Sequence, residues 1–288
     1  MENVIELNNV SKRLKAFSLE SINLQVKKGL ITGFIGENGA GKTTTIKLMM
    51  NLLKPDQGEV KVFGLDYKTH EKEIKERIGF VYDENIFFEG LNLKDIKRII
   101  APAYKRWDDN QFKYYIEKFE LPLNKAIKTF SKGMKMKASL SLALAHHPEL
   151  IIMDEPTAGL DPVFRQELLT LLQDLITDEN RTIFFSTHIT TDLDKIADYI
   201  AFLQGGRMLF NQSKEALMDN YAIVKGDNDL LDADTEKPFL KIDRKATGFT
   251  ALTDNVSEVK QIFNDEVLIE QATLEEIMYY SKKEKRYD

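Results

Sequence analysis

The residues Gly36-Glu37-Asn38-Gly39-Ala40-Gly41-Lys42-Thr43 follow an apolar run over 30–35 and read G-x-x-x-x-G-K-[ST]. A strand, a glycine-rich loop and a helix in that order form a phosphate cradle. The glycines let backbone N–H groups converge where a Cβ would intrude. Lys42 supplies a positive charge for β- and γ-phosphate oxygens. The Thr43 hydroxyl can ligate Mg²⁺, and Thr44 continues the first turn of a helix whose positive dipole end faces the phosphates. A second apolar run, 150–153, ends in Asp154-Glu155. Parallel α/β sheets bind ligands beyond the carboxyl ends of their strands. Asp154 is thereby expected beside the loop as a Mg²⁺ ligand, with Glu155 placed to orient or deprotonate an attacking water.

The elements that must position these groups follow from periodicity. Strands are expected over 4–10, 22–26, 30–35, 59–63, 78–82, 150–153 and 182–185, with a hairpin over 200–203 and 208–210 through Gly205-Gly206. Helices are expected over 42–53, 71–77 and 162–177. Residues 92–146 show three helical segments (93–104, 109–119 and 132–146) and no convincing strand. They read as a helical subdomain inserted into an α/β sheet. After about residue 220 the pattern changes to short strand-like pieces, 239–242 and 249–252, and a last helix, 274–281. The expected division is a nucleotide-binding domain over 1–220 and a small C-terminal accessory region over 221–288.

The 288 residues carry a net charge of −6 and no cysteine. The acidic balance argues against non-specific nucleic-acid binding. Disulfides and thiolate zinc sites are excluded. Residues 1–10 alternate like a strand, not like a signal peptide. No run approaches 18 apolar residues, so no direct membrane insertion is expected.

In motif order, residues 1 to about 220 resemble the ATP-binding subunit of an ABC transporter. Ser131-Lys132-Gly133-Met134 stands at the family signature, LSGGQ. Asp161, in Ala158-Gly159-Leu160-Asp161, matches the D-loop, and His188, after a buried strand, the switch histidine. The resemblance implies a P-loop NTPase core with a mixed sheet, an N-terminal antiparallel β subdomain, the inserted helical subdomain and a small C-terminal α+β appendage. It implies ATP and Mg²⁺ as cofactors, ATP hydrolysis with Lys42, Glu155 and His188 as catalytic groups, and a head-to-tail pair of subunits. In that pair, Ser131 and Gly133 serve the opposite subunit's ATP, and Asp161 is a further ATP-binding residue.

Departures from the family pattern stand out. Phe130 replaces the signature leucine, Lys132 the first glycine and Met134 the glutamine. Asp83 falls at the Q-loop glutamine, with Glu84 one residue on; a carboxylate there still ligates Mg²⁺ but, ionised, donates no hydrogen bond. The adenine-stacking aromatic is replaced by Leu14, with Phe17 three residues on. Lys105-Arg106-Trp107-Asp108 resembles the branch of bacterial exporter ATPases that work with a separate ABC-2-type permease, including those for antibiotics and cytolytic peptides. Phe87, Phe88 and Leu91 are candidates for the floor of a permease-docking cleft, and the charged 282–286 for a solvated helix end. The expected location is cytoplasmic, peripheral on the inner membrane face through the permease. The alternative is a soluble ABC-type ATPase acting on ribosomes or nucleic acid.

Overall fold

The computed structural model describes residues 2–82, 88–178 and 180–281. They form two compact units that divide between Asn211 and Gln212. The division precedes the short helix Lys214–Asn220 instead of following it.

The first unit is built on a six-stranded sheet. Its order is Arg207–Ser213, Tyr199–Gln204, Ile31–Ile35, Thr182–Thr187, Leu150–Met153, Ile78–Val81. The last five are joined by parallel pairings. Ile31–Ile35, Leu150–Met153 and Thr182–Thr187 are buried along their whole length, as strands covered on both faces must be. Register pairs Ile35 with Thr187 and Met153 with Phe185. The residues that follow, Gly36, Asp154 and His188, therefore leave the sheet at one end.

An antiparallel sheet (Ser18–Lys27, Asn3–Arg13, Gln57–Val62, Leu65–Asp66) lies opposite. The helix Lys42–Met49 is packed into the same core: Ile46, Leu48 and Met49 join Ile5, Leu7 and Ile22 from one sheet and Phe34, Ile152 and Phe184 from the other. This helix ends at Met49, short of the expected 53, because Asn51 turns left-handed at φ 57°.

The helical insertion has its own core of Leu93, Ile96, Phe112, Ile116, Phe130 and Leu142 with their neighbours. Side-chain caps start each helix: Asn92 on Asp95 N, Asp108 on Asn110 N and Gln111 N, Ser131 on Met134 N. The first helix stops at Ile100, and a 3-10 turn, Ala101–Ala103, follows because Pro102 cannot donate to a continuing helix. Trp107 is a packing residue, its ring 5.7 Å from Phe112 and its Nε1 donating to Asp109 Oδ1 at 2.7 Å.

The second unit is a four-stranded antiparallel sheet ordered Phe239–Lys245, Gly248–Thr253, Ala222–Gly226, Leu268–Gln271. Val224, Phe249, Ala251, Val259 and Phe263 form its core. The helices Val256–Phe263 and Leu274–Tyr280 complete it. Among the described residues, no helix is long and apolar enough to cross a membrane.

Candidate functional site

The loop after Ile35 is shaped by three glycines. Gly39 (φ 82°) and Gly41 (φ 109°) occupy the left-handed region. Gly41 is also tightly enclosed: a Cβ there would stand 2.6 Å from the Phe17 ring and 2.7 Å from Leu19. At Gly36 a Cβ would stand 2.5 Å from the Leu203 carbonyl oxygen. Glu37, Asn38 and Gly39 are exposed, Ala40 is buried, and Ala40 N donates to Glu37 O at 3.1 Å.

Lys42 is only 6% exposed. Its ammonium curls back to donate to Gly36 O at 2.7 Å and Glu37 O at 3.2 Å, and lies 3.0 Å from Glu155 Oε1. The other oxygen, Glu155 Oε2, meets His188 Nδ1 at 2.8 Å. That ring nitrogen donates, since the carboxylate accepts. One carboxylate thus bridges a lysine from the loop and a histidine from the neighbouring strand end.

Ser186 organises the pair of acids. Its Oγ donates to the buried Asp154 Oδ1 at 2.6 Å and accepts from Glu155 N at 3.0 Å. Glu155 itself stands at φ 48°, a conformation an L-residue keeps only when its surroundings hold it. Tyr82, at the end of the adjoining strand, has its hydroxyl pKa raised by burial and then by the Asp154 charge. Reading by motif missed the Ser186 role; a hydroxyl two residues before His188, on a buried strand next to 150–153, was the available signal.

Thr43 is exposed in the first helical turn, and Thr44 is half-buried beside it. An exposed hydroxyl and one carboxylate, with no cluster of three or more His, Cys, Asp or Glu able to hold an ion among the described residues, suit Mg²⁺. That ion keeps several waters and leans on substrate phosphates instead of an all-protein cage. Asp83 and Glu84 lie outside the described residues.

Leu14 is exposed, its N–H donating to Phe17 O at 2.8 Å. Phe17 is half-buried, packed on the core and edge-on to Gly41, so of the two it is the one in contact with the loop.

Ser131 and Gly133 are not brought to this cluster within the chain. Ser131 is exposed, and its Oγ caps the helix Lys132–Leu144 through Met134 N at 3.2 Å. Gly133 packs against Phe164. Phe130, in place of leucine, is buried in the insertion's core. Asp161 caps the helix Pro162–Ile176, accepting from Phe164 N at 3.0 Å.

An apolar groove of about 440 Å³ lies between the sheet and the insertion, lined by Leu52, Phe80, Tyr82, Ile99, Ile100 and Tyr104 among others. Of the residues expected to floor a docking cleft, Leu91 packs into the insertion's core, Phe88 is 79% exposed and does not line this groove, and Phe87 lies outside the described residues. Leu91 is drawn inward because the turn it ends joins the Leu93 helix to the segment before the signature, with Ile127 N donating to Leu91 O at 2.9 Å.

The family described as ABC transporter matches residues 19–158. The bacitracin transport ATP-binding protein BcrA of Bacillus licheniformis is 35% identical over 212 residues, 73% of this chain and 69% of that protein. The ABC transporter ATP-binding protein YtrB of Bacillus subtilis (strain 168) is 28% identical and covers 90% of both chains. A solved ATP-binding subunit of an ABC transporter superposes with TM-score 0.68 at 27% identity, covering 75% of this chain and 92% of its own.

Proposed function

The chain belongs to the ATP-binding subunits of ABC transporters, and on that premise we propose that two such subunits close head to tail around two ATP molecules and drive a separate membrane permease. The chain is an ATPase. The observation that carries the reading is the continuous contact Lys42–Glu155–His188 at the end of three adjacent parallel strands.

The loop N–H groups and Lys42 face the triphosphate. Phosphate oxygens compete with Glu155 for the Lys42 ammonium, which is the stronger ligand set for a cation already supported by two carbonyls. Glu155, released on one oxygen, accepts the proton of the attacking water, while His188 holds the other oxygen and its orientation. When bound, Mg²⁺ held by Thr43 and Asp154 neutralises charge on the phosphates. Ser131 and Gly133 lie at a helix start remote from their own loop's contacts. They supply donors to the γ-phosphate of the opposite subunit, where charge develops. Loss of that phosphate on hydrolysis opens the pair. Phe17, and not Leu14, is the base contact.

The groove lined by Ile99, Leu52 and Tyr104 receives the permease, with Ile99 64% and Leu52 49% exposed at its edge. This puts the chain at the cytoplasmic membrane face through its partner. The exporter branch with an ABC-2-type permease is the reading supported by the Lys105-Arg106-Trp107-Asp108 segment and by the likeness to a bacitracin transport protein.

The test is Glu155→Gln, a variant expected to bind ATP without turning it over. On light scattering it is expected to run as a dimer with Mg-ATP and as a monomer without. A monomer at saturating Mg-ATP would end the head-to-tail reading.

A further inference from the structure

Two contacts join the start of the signature helix to the segment after Asp154-Glu155. Each seats a large side chain of one element on a glycine of the other. Gly133 faces the Phe164 ring, where a Cβ would stand 3.3 Å from Cδ1. Gly159, at φ 67°, lies under the Lys132 side chain, where a Cβ would stand 3.1 Å from Nζ, 3.6 Å from Cδ and 3.7 Å from Cε. The lysine stem and its ammonium thus lie along the bare backbone of the D-loop.

A cation in the first turn opposes the helix dipole, and the first turn of Lys132–Leu144 holds no acid to offset it. The side chain is used sideways. Gly159 sits in a segment of two overlapping turns, Ala158 N to Glu155 O at 3.1 Å and Leu160 N to Thr157 O at 3.3 Å. That segment runs without interruption from Glu155 to the helix cap Asp161. A push on Gly159 is therefore carried to the backbone of Glu155, which is itself held in a left-handed conformation.

We propose that Lys132 is a positioning residue for hydrolysis: its stem pins Gly159, so that the signature and the 155–161 segment move as one piece and nucleotide contact at the signature sets Glu155. The inference rests on the reading of the signature as a nucleotide contact. It predicts that Lys132 acts on turnover and not on ATP affinity, and through its stem more than through its charge.

Steady-state hydrolysis by the full chain tests it. Lys132→Gly removes stem and charge; Lys132→Met keeps an unbranched stem and drops the charge. Since small misplacements of catalytic groups cost large factors, Lys132→Gly is expected to lower kcat at least about fivefold with KM for ATP within about twofold, and Lys132→Met to recover most of that loss. Thermal midpoints are measured alongside, and both variants are expected to melt with the wild type. An unchanged kcat in Lys132→Gly overturns the proposal. So does a loss that appears in KM and persists in Lys132→Met, which would assign the ammonium to the phosphates directly. A kcat loss accompanied by a matching fall in thermal midpoint also overturns it, as general destabilisation. Pairing of Glu155→Gln with Mg-ATP is a separate readout: its failure counts against the head-to-tail reading, while the Lys132 variants are judged on kcat.

Discussion

Lys42 and Ser131 both stand at the start of a helix that follows a turn, yet they are held in opposite ways. Lys42 is buried behind adjacent strand ends and makes three polar contacts of 3.2 Å or less. Ser131 is exposed on the helical insertion, and its side chain caps its own helix. The phosphate-loop half is over-determined: sheet register, two left-handed glycines and the Ser186 bridge all fix it. The signature half is fixed by its own cap and by the contacts of Gly133 with Phe164 and of Lys132 with Gly159, and Ser131 stays exposed. The difference predicts that damage to the first half abolishes binding, while damage to the second half spares binding and slows turnover.

The largest break in that comparison is Lys42→Ala. It removes the buried cation of the loop and leaves the Glu155 carboxylate, 12% exposed, with His188 as its remaining side-chain partner. ATP affinity is expected to fall at least about 100-fold, since a charge-assisted contact to phosphate is lost in a site made for it. Stability is expected to fall by about 1–3 kcal/mol from the unpaired carboxylate. Isothermal titration and thermal melts check both; an unchanged ATP titration would break the phosphate-loop argument.

Glu155→Gln comes next. Turnover is expected to drop about 10²-fold, a typical loss for one group acting in the transition state. ATP affinity is expected to hold or rise, because the neutral amide competes more weakly than a carboxylate for the Lys42 ammonium. Near-normal turnover would take Glu155 out of the chemistry. His188→Ala, which frees Glu155 Oε2, is expected to fall in the same direction by a smaller factor.

Ser131→Ala probes the other half. The lost cap costs about 1 kcal/mol, and the lost donor is expected to lower turnover about tenfold with ATP binding by the single subunit unchanged. A collapse of single-subunit ATP affinity would erase the contrast between the halves.

The same contrast explains what could be read before the fold was known. Gly36–Thr43, Asp154-Glu155 and His188 are each contiguous with a run of buried strand, so local pattern places them, and parallel pairing brings them to one end. What pattern could not supply are the pairings across the sheet. The position of Ser186, two residues before His188 on a buried strand, is a weak signal for its bridge to Asp154 and Glu155, and nothing in Glu155 announces that its two oxygens divide between Lys42 and His188. Lys132 on Gly159 joins residues from different elements and has no local signature. In the second unit, Ala222–Gly226 and Leu268–Gln271 escaped notice although the former is central, pairing with Gly248–Thr253 and with Leu268–Gln271. Five residues with one lysine and a terminal glycine carry too little alternation to register.

The smallest effect on turnover at neutral pH is expected at the seam between sheet and insertion, where His146 is buried. Its Nε2 lies 3.1 Å from Ile78 O, at the start of the strand that leads to Tyr82, and its ring stacks on Tyr104 at 3.9 Å. Burial pushes its pKa down to about 4, partly opposed by the Ile78 carbonyl. The folded chain thus prefers the neutral ring more than the unfolded chain does. The associated stability is complete above the unfolded value near 6.5 and is lost as pH falls from there towards about 4. Between pH 7.5 and 5, the wild type is expected to lose about 2 kcal/mol that His146→Gln, which cannot titrate, does not lose. Turnover of His146→Gln at pH 7.5 should stay closer to wild type than that of Ser131→Ala. Denaturant melts at the two pH values decide it: parallel losses in wild type and variant would mean that this joint does not sense protons, and that the seam is held by the Tyr104 stack and the surrounding apolar contacts alone.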